Sequence, residues 1–204
     1  MKGIEVLIWG KEKLSAPLLG RQNAFNLISA LSVALEFGID LKDIKEGLKD
    51  LKPLPHRMQY LKLGNMDIID DSYNSNPLSL KAALEFLAGL GEKKEKIAIL
   101  GDMLELGKRS QALHYECGRY AAGLKIGKFL CYGDEMRAFL EGFKSVVPEG
   151  MVYWFQDRNE LFGFLLDLIK RDSELILLFK ASHAMRADLI LEGLKQSFSF
   201  SHAL

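Results

Sequence analysis

Three polar stretches each follow an apolar run and precede a helical pattern, the position where open parallel sheets gather their ligands. They are Asp70-Asp71-Ser72-Tyr73-Asn74-Ser75-Asn76-Pro77, Gly101-Asp102-Met103-Leu104-Glu105-Leu106-Gly107 and Lys180-Ala181-Ser182-His183. An aspartate at a strand end can accept both hydroxyls of a ribose, and Asp71 is the candidate, with Tyr73 packing on a base or sugar. The same loop has a plainer reading: Asn76 is a good N-cap, Pro77 a good first helical residue, and Asx side chains are common in turns. The second loop, with two acids between glycines, could bind a cationic amine or simply lead into a helix capped by Ser110. Lys180 could neutralise a phosphate or carboxylate, or snorkel to solvent. The histidines at 56, 114, 183 and 202 lack metal-ligand spacing, so exposed or core-satisfied roles are expected and no structural metal is predicted.

The elements that position these loops follow from hydrophobic periodicity. Strands are expected at 4–9, 14–19, 58–63, 66–70, 96–100, 128–132, 151–155 and 174–179, and helices at 23–37, 41–48, 78–90, 110–124, 134–144, 158–171 and 184–196. Beyond residue 58, strand and helix alternate, which specifies an α/β fold: a Rossmann-like, mainly parallel sheet with helices on both faces. Ile97–Leu100 and Leu175–Phe179 are apolar without alternation, as central strands should be. The three loops then converge on one sheet edge, and a shared cleft lined by Asp71, Asp102 and Lys180 is expected. The opening segment reads as a hairpin turning at Gly10–Lys13, followed by two helices, and an unpaired opening hairpin resembles the cut edge of a preceding domain. Pro53 and Pro55 break all periodicity, so the domain boundary falls there, giving 1–52 and 53–204. The Ser/Phe-rich end, 197–201, is expected to fray.

Composition narrows the function classes. Apolar residues make up 49% and charged residues 26% of the 204, as in ordinary folded proteins. Lys plus Arg equals Asp plus Glu at 27 each, so no global field attracts nucleic acid. No stretch reaches the length of a membrane span. Two cysteines, Cys117 and Cys131, fit a reducing, cytoplasmic compartment.

Four motifs in register resemble the Mur ligases: Gly20-Arg-Gln-Asn23-Ala-Phe-Asn26, Arg57 after the proline break, the 70–77 loop, and Leu-Gly-Asp-Met-Leu-Glu-Leu-Gly at 100–107. Lys180-Ala-Ser-His-Ala-Met185 is similar to the family's closing motif, and the resemblance runs from about residue 4 to about 195. It implies an ATP-dependent, amide-forming ligase of peptidoglycan synthesis, and the 70–77 and 101–107 strings point to members that add D-alanyl-D-alanine to a UDP-linked muramoyl tripeptide. By the same resemblance, residues 1–52 would be the tail of the central ATPase domain and 53–204 the dipeptide-binding domain. Asn23 and Asn26 would lie beside the adenine, Asp71 and Tyr73 would hold the nucleoside, and Arg57 would swing from the hinge toward the phosphates. Asn74, Ser75, Asn76, Asp102, Glu105, Ser182 and His183 would face the dipeptide, with Lys180 and Arg57 assisting the chemistry in a closed state. ATP and Mg²⁺ are implied, held mostly by the central domain, and the amino-terminal and central ligase domains would be partners in cis or trans.

Four positions depart from the family pattern: Gln22 replaces a histidine, His56 a glycine, and the closing Lys-Gly-Ser-Arg reads Lys180-Ala181-Ser182-His183, with Ala181 for the glycine and His183 for the arginine. Histidine cannot grip a carboxylate as arginine does, so Arg186, one turn along, is an alternative anchor. No Gly-x-x-x-x-Gly-Lys-Ser/Thr string occurs in the sequence, so turnover of ATP by this chain alone is not expected. Two other readings fit the same domain plan: a folylpolyglutamate- or cyanophycin-type ligase fragment, and a non-catalytic nucleotide- or peptide-binding module.

Overall fold

The computed structural model describes residues 3–91, 93–171 and 174–201, leaving His202 outside the described residues. In chain order the elements are β1 (Ile4–Ile8), β2 (Glu12–Ala16), α1 (Arg21–Glu36), α2 (Leu41–Lys49), β3 (Gln59–Leu63), β4 (Met66–Asp70), α3 (Pro77–Gly89) and β5 (Glu95–Gly101). They continue with α4 (Ser110–Ala121), β6 (Lys128–Tyr132), α5 (Met136–Lys144), β7 (Val152–Phe155), α6 (Arg158–Arg171), β8 (Leu175–Lys180) and α7 (Ala187–Ser201).

Six strands form one sheet in the order β3-β4-β8-β5-β6-β7. All neighbours are parallel except β3, which returns antiparallel along β4. The mainly parallel α/β sheet read from the alternating pattern is therefore present. β8 and β5 lie inside it, and every residue of β8 is buried. Their unbroken apolar runs have a direct cause, because both faces are covered. Ala98 and Leu100 join the core under α3, α4 and α5, while Ile97 and Ile99 join the core under α6 and α7. Cys117 and Cys131 are buried free thiols within the first of these layers.

The hairpin and first two helices have a separate small core, in which Val6, Leu14 and Ala16 meet Leu27 and Leu31 of α1. Leu19 reaches instead into the larger core beside Met58. β2 begins two residues earlier than the expected 14–19 and stops at Ala16. Trp9 and Gly10, at φ 50° and 69°, make the turn, and the Lys11 amide closes on the Ile8 carbonyl. The polar pair Glu12 and Lys13 therefore belongs to the strand, where Lys45 and Glu5 pair with them. The Ser/Phe-rich segment 197–201 forms the end of α7, which runs to Ser201. Ser197 and Ser199 donate to the carbonyls four residues back, which lets serines sit in a helix. Among the described residues no helix is long and apolar enough to cross a membrane.

Candidate active site

Because β4, β8 and β5 are parallel neighbours, their carboxyl ends, Asp70, Lys180 and Gly101, lie along one edge. The Asp71 amide donates to Phe179 O at 2.9 Å, carrying the β4–β8 pairing one residue past the strand. That register brings the Asp71 carboxylate to Lys180, whose Nζ donates to Asp71 Oδ2 at 2.7 Å and to Asn74 O at 2.9 Å. Asp71 Oδ1 accepts from the Met58 amide at 3.1 Å. Lys180 is 2% exposed, so it does not snorkel. Burial pushes the Asp71 carboxyl above the usual carboxylate range and the Lys180 ammonium below its own, and their mutual attraction opposes both shifts.

Asp102 behaves differently from the expectation. Its Oδ1 accepts from the Met136 amide at 2.9 Å, holding the start of α5, and its carboxylate lies against Gly133, where a Cβ would come within 2.4 Å of Oδ2. Burial raises its pKa, against the hydrogen bonds from the Met136 and Glu135 amides. The Asp102 carbonyl accepts from the Ser182 amide, and the Ser182 hydroxyl accepts from the Leu104 amide at 2.8 Å. Asp102 thus ties the second and third loops together with its backbone while its side chain serves a helix. His114, fully buried, completes the loop: Nε2 accepts from the Met103 amide at 3.0 Å and Nδ1 lies 2.9 Å from Ser110 O. Ser110 is not the N-cap of α4, which starts after a short 3₁₀ turn with no side-chain cap.

Two concavities flank the 71–76 loop. A cavity of about 170 Å³ is lined by Gln22, Asn23 and Asn26 of α1, Arg57 and Met58, Asp71, Asn74, Asn76, Ser79 and Lys180. A groove of about 400 Å³ on the other side is lined by Tyr73, Asn74, Leu104, Glu105, Ser182, His183 and Ala184. The cavity therefore gathers five expected nucleotide-side or catalytic residues, Asn23, Asn26, Arg57, Asp71 and Lys180, and the groove four expected dipeptide-side residues, Asn74, Glu105, Ser182 and His183. Asn74 borders both. Tyr73 and Asn76 lie on the sides opposite to those expected, and Asp102 and Ser75 line neither.

Local interactions account for these placements. Asn76 caps α3 in a reciprocal arrangement with Ser79, and Pro77 follows at the first helical position, so its plainer reading holds alongside its place in the cavity. Asn23 Nδ2 donates to Leu19 O, and Asn26 Nδ2 to Asn23 Oδ1, which fixes both asparagines at the cavity mouth. The Tyr73 ring stands between Arg57, whose guanidinium carbon is 4.0 Å from its centroid, and the His183 ring at 5.8 Å. Glu105, exposed at φ 65°, stands at the groove edge. Arg186 is also in a left-handed conformation, and its guanidinium is bound to Asp188 at 2.7 Å. Arg186 would have to leave this exposed pair to take the place of the arginine at the His183 position. Met58, Ser79, Leu104 and Ala184 line the concavities without having been singled out in sequence; only Ser79, three residues after an N-cap asparagine, carried a readable signal.

A parallel sheet with clefts outside the carboxyl ends of its strands is the architecture of α/β domains that bind small molecules at that edge. Residues 56–183 match the Mur ligase, glutamate ligase domain, and the chain belongs to the Mur ligase family. It is 33% identical over 184 residues to the UDP-N-acetylmuramoyl-tripeptide--D-alanyl-D-alanine ligase of Bacillus subtilis, covering 89% of this chain and 39% of the relative. The Escherichia coli protein of the same name is 30% identical over 92% of this chain and 40% of its own length. The crystal structure of MurF from Acinetobacter baumannii superposes with a TM-score of 0.81 at 29% identity, over 91% of this chain and 40% of that one. The chain thus spans about two fifths of the length of these relatives.

Proposed function

We propose that this chain supplies the mobile closing part of an ATP-dependent ligase that joins D-alanyl-D-alanine to a UDP-N-acetylmuramoyl tripeptide through an acyl phosphate. Residues 1–52 are read as the end of the central ATPase domain and 53–204 as the domain that closes on it. One observation carries the proposal: the cavity and the groove share a wall, the 71–76 loop, which the buried Lys180–Asp71 pair pins to the sheet. A ligase that activates a carboxylate with a nucleotide and then delivers an amine needs two such sites side by side.

In the cavity, Asp71 faces the ribose while Asn23 and Asn26 border the base. The cavity offers a free acceptor for an amino or hydroxyl group of a nucleoside: the Gln22 carboxamide oxygen is buried there without a hydrogen-bond partner. Among the described residues no group of three or more His, Cys, Asp or Glu side chains is placed to hold a metal ion, so Mg²⁺ is assigned to the domains that carry the phosphate site. ATP supplies the phosphoryl group: a P–O bond forms to the tripeptide carboxylate as the bond to the ADP oxygen breaks. The dipeptide amine then forms the C–N bond, the acyl C–O bond breaks with its electron pair leaving on inorganic phosphate, and the amine gives up a proton. Arg57 stands at the cavity rim, where its charge offsets phosphate charge. Glu105 and His183 stand at the groove, opposite in chemistry, as the amine and carboxylate of a dipeptide require.

Reconstitution tests the reading. This chain is combined with the amino-terminal and central domains of a matching ligase, and phosphate release is followed with D-alanyl-D-alanine against single amino acids and L-glutamate. Release that requires both parts and prefers D-alanyl-D-alanine is expected; preference for glutamate would replace the reading with the folylpolyglutamate type, and no release with any acceptor would end it.

A further inference from the structure

Arg57 sits between two strained residues. His56 and Met58 have φ of 59° and 48°, a left-handed conformation that glycine adopts freely and that residues with a Cβ adopt only when their surroundings hold them there. The surroundings here do so from β4 and the loop after it. His56 Nδ1 lies 2.8 Å from Asp70 Oδ2, and the other oxygen of that buried carboxylate accepts from the Ser72 hydroxyl at 2.6 Å. The His56 carbonyl accepts from the Tyr73 amide at 3.1 Å, and the same tyrosine's ring carries the Arg57 guanidinium. Met58 is buried, and its amide donates to Asp71. Successive residues of one strand end, Asp70 and Asp71, thus hold the residues on either side of Arg57.

We propose that His56 is a positioning residue for Arg57: its ring, clamped by Asp70, fixes the left-handed turn that lays the guanidinium on Tyr73 at the rim of the nucleotide-side cavity. A glycine at this place would make the same turn without strain but could not be clamped, so the histidine exchanges backbone comfort for a fixed direction of the next side chain. That Arg57 then acts on a nucleotide rests on the function proposed above; its placement by His56 does not.

The test reads placement and activity separately. In NMR spectra of this 204-residue chain, the Arg57 Hδ protons should be shifted upfield by the Tyr73 ring, and Tyr73→Leu should abolish the shift, which identifies its source. His56→Gly, which suits the backbone conformation and should fold, is expected to remove more than half of that shift while the amide resonances of β5 and β8 stay in place. Asp70→Asn, which keeps His56 but weakens its clamp, should move the resonances in the same direction by less. An unchanged Arg57 shift in His56→Gly would overturn the proposal. In the reconstituted ligase, His56→Gly should raise KM for ATP several-fold with a smaller change in kcat. A lost ring shift with unaltered KM would leave His56 as the residue that places Arg57 and would sink the nucleotide role of Arg57 instead.

Discussion

The Lys180 ammonium and the Asp71 carboxylate meet at 2.7 Å across 109 residues of sequence, and the contact is almost wholly out of water. Two buried charges this close are tolerated only with their remaining hydrogen-bonding capacity in use, and the Asn74 carbonyl and the Met58 amide use it. Lys180→Met keeps most of the side chain's length, removes the ammonium, and leaves the Asp71 carboxylate with only the Met58 amide as hydrogen-bond donor and the Asn74 carbonyl without one. The expected loss is about 3–5 kcal/mol in urea unfolding, the usual cost of orphaning one partner of a buried pair. The double variant Asp71→Asn with Lys180→Met should recover part of it. A loss below about 1 kcal/mol, the range of exposed pairs, would mean that the ammonium is not the pin of the 71–76 loop.

Asp102 and Asp71 occupy corresponding strand ends and do different work. Asp102→Ala removes the acceptor for the Met136 amide at the start of α5. A loss of about 1–2 kcal/mol is expected, as for other helix N-terminal acceptors. Hydrogen exchange should localise it, with the Met136 amide losing protection first. Because its carboxylate lines neither concavity, reconstituted ligase carrying Asp102→Asn should keep its KM for the dipeptide within about twofold. A tenfold rise would return Asp102 to the acceptor site.

Sequence periodicity located each strand of the main sheet to within about two residues, because strands such as β8 are covered on both faces and must be apolar throughout. The antiparallel turn of β3 onto β4 was less legible, since a two-residue link at Gly64 and Asn65 resembles any other turn until the pairing is known. Side-chain roles at the site divided by the distance over which they are decided. Asn76 and Pro77 act on the helix immediately after them, so their cap could be read directly. Asp102 takes its partner from an amide 34 residues later, and nothing local marks that. Tyr73 was assigned to the nucleotide from its position in the loop, but its ring direction is set by Arg57 and His183, which belong to other segments. The positive φ of His56 had one signal, the glycine that it replaces in the family pattern, whereas that of Met58 had none: methionine rarely adopts it, and the contacts that impose it come from β4 and its loop.

Strong acid should weaken the opposite end of the same strand, at Asp67. Asp67 of β4 is pushed up by burial, but hydrogen bonds from Lys94, Tyr60 and Lys62 outweigh this and bring its pKa from 3.8 to about 2. Since the folded value is the lower one, the unfolded chain binds more protons between the two. The stabilisation is therefore complete above roughly pH 4 and disappears as the pH falls through about 2. With Lys62 half-exposed, the contribution is on the order of 1–2 kcal/mol rather than the full value of the shift. Asp67→Asn should accordingly lower unfolding stability by about that amount at pH 7, and the gap between variant and wild type should narrow steadily as the pH falls from 4 toward 2. A gap that stays constant down to pH 2 would mean that the cluster holds β4 to β3 and to Lys94 by neutral hydrogen bonding alone, with no ionic part to lose.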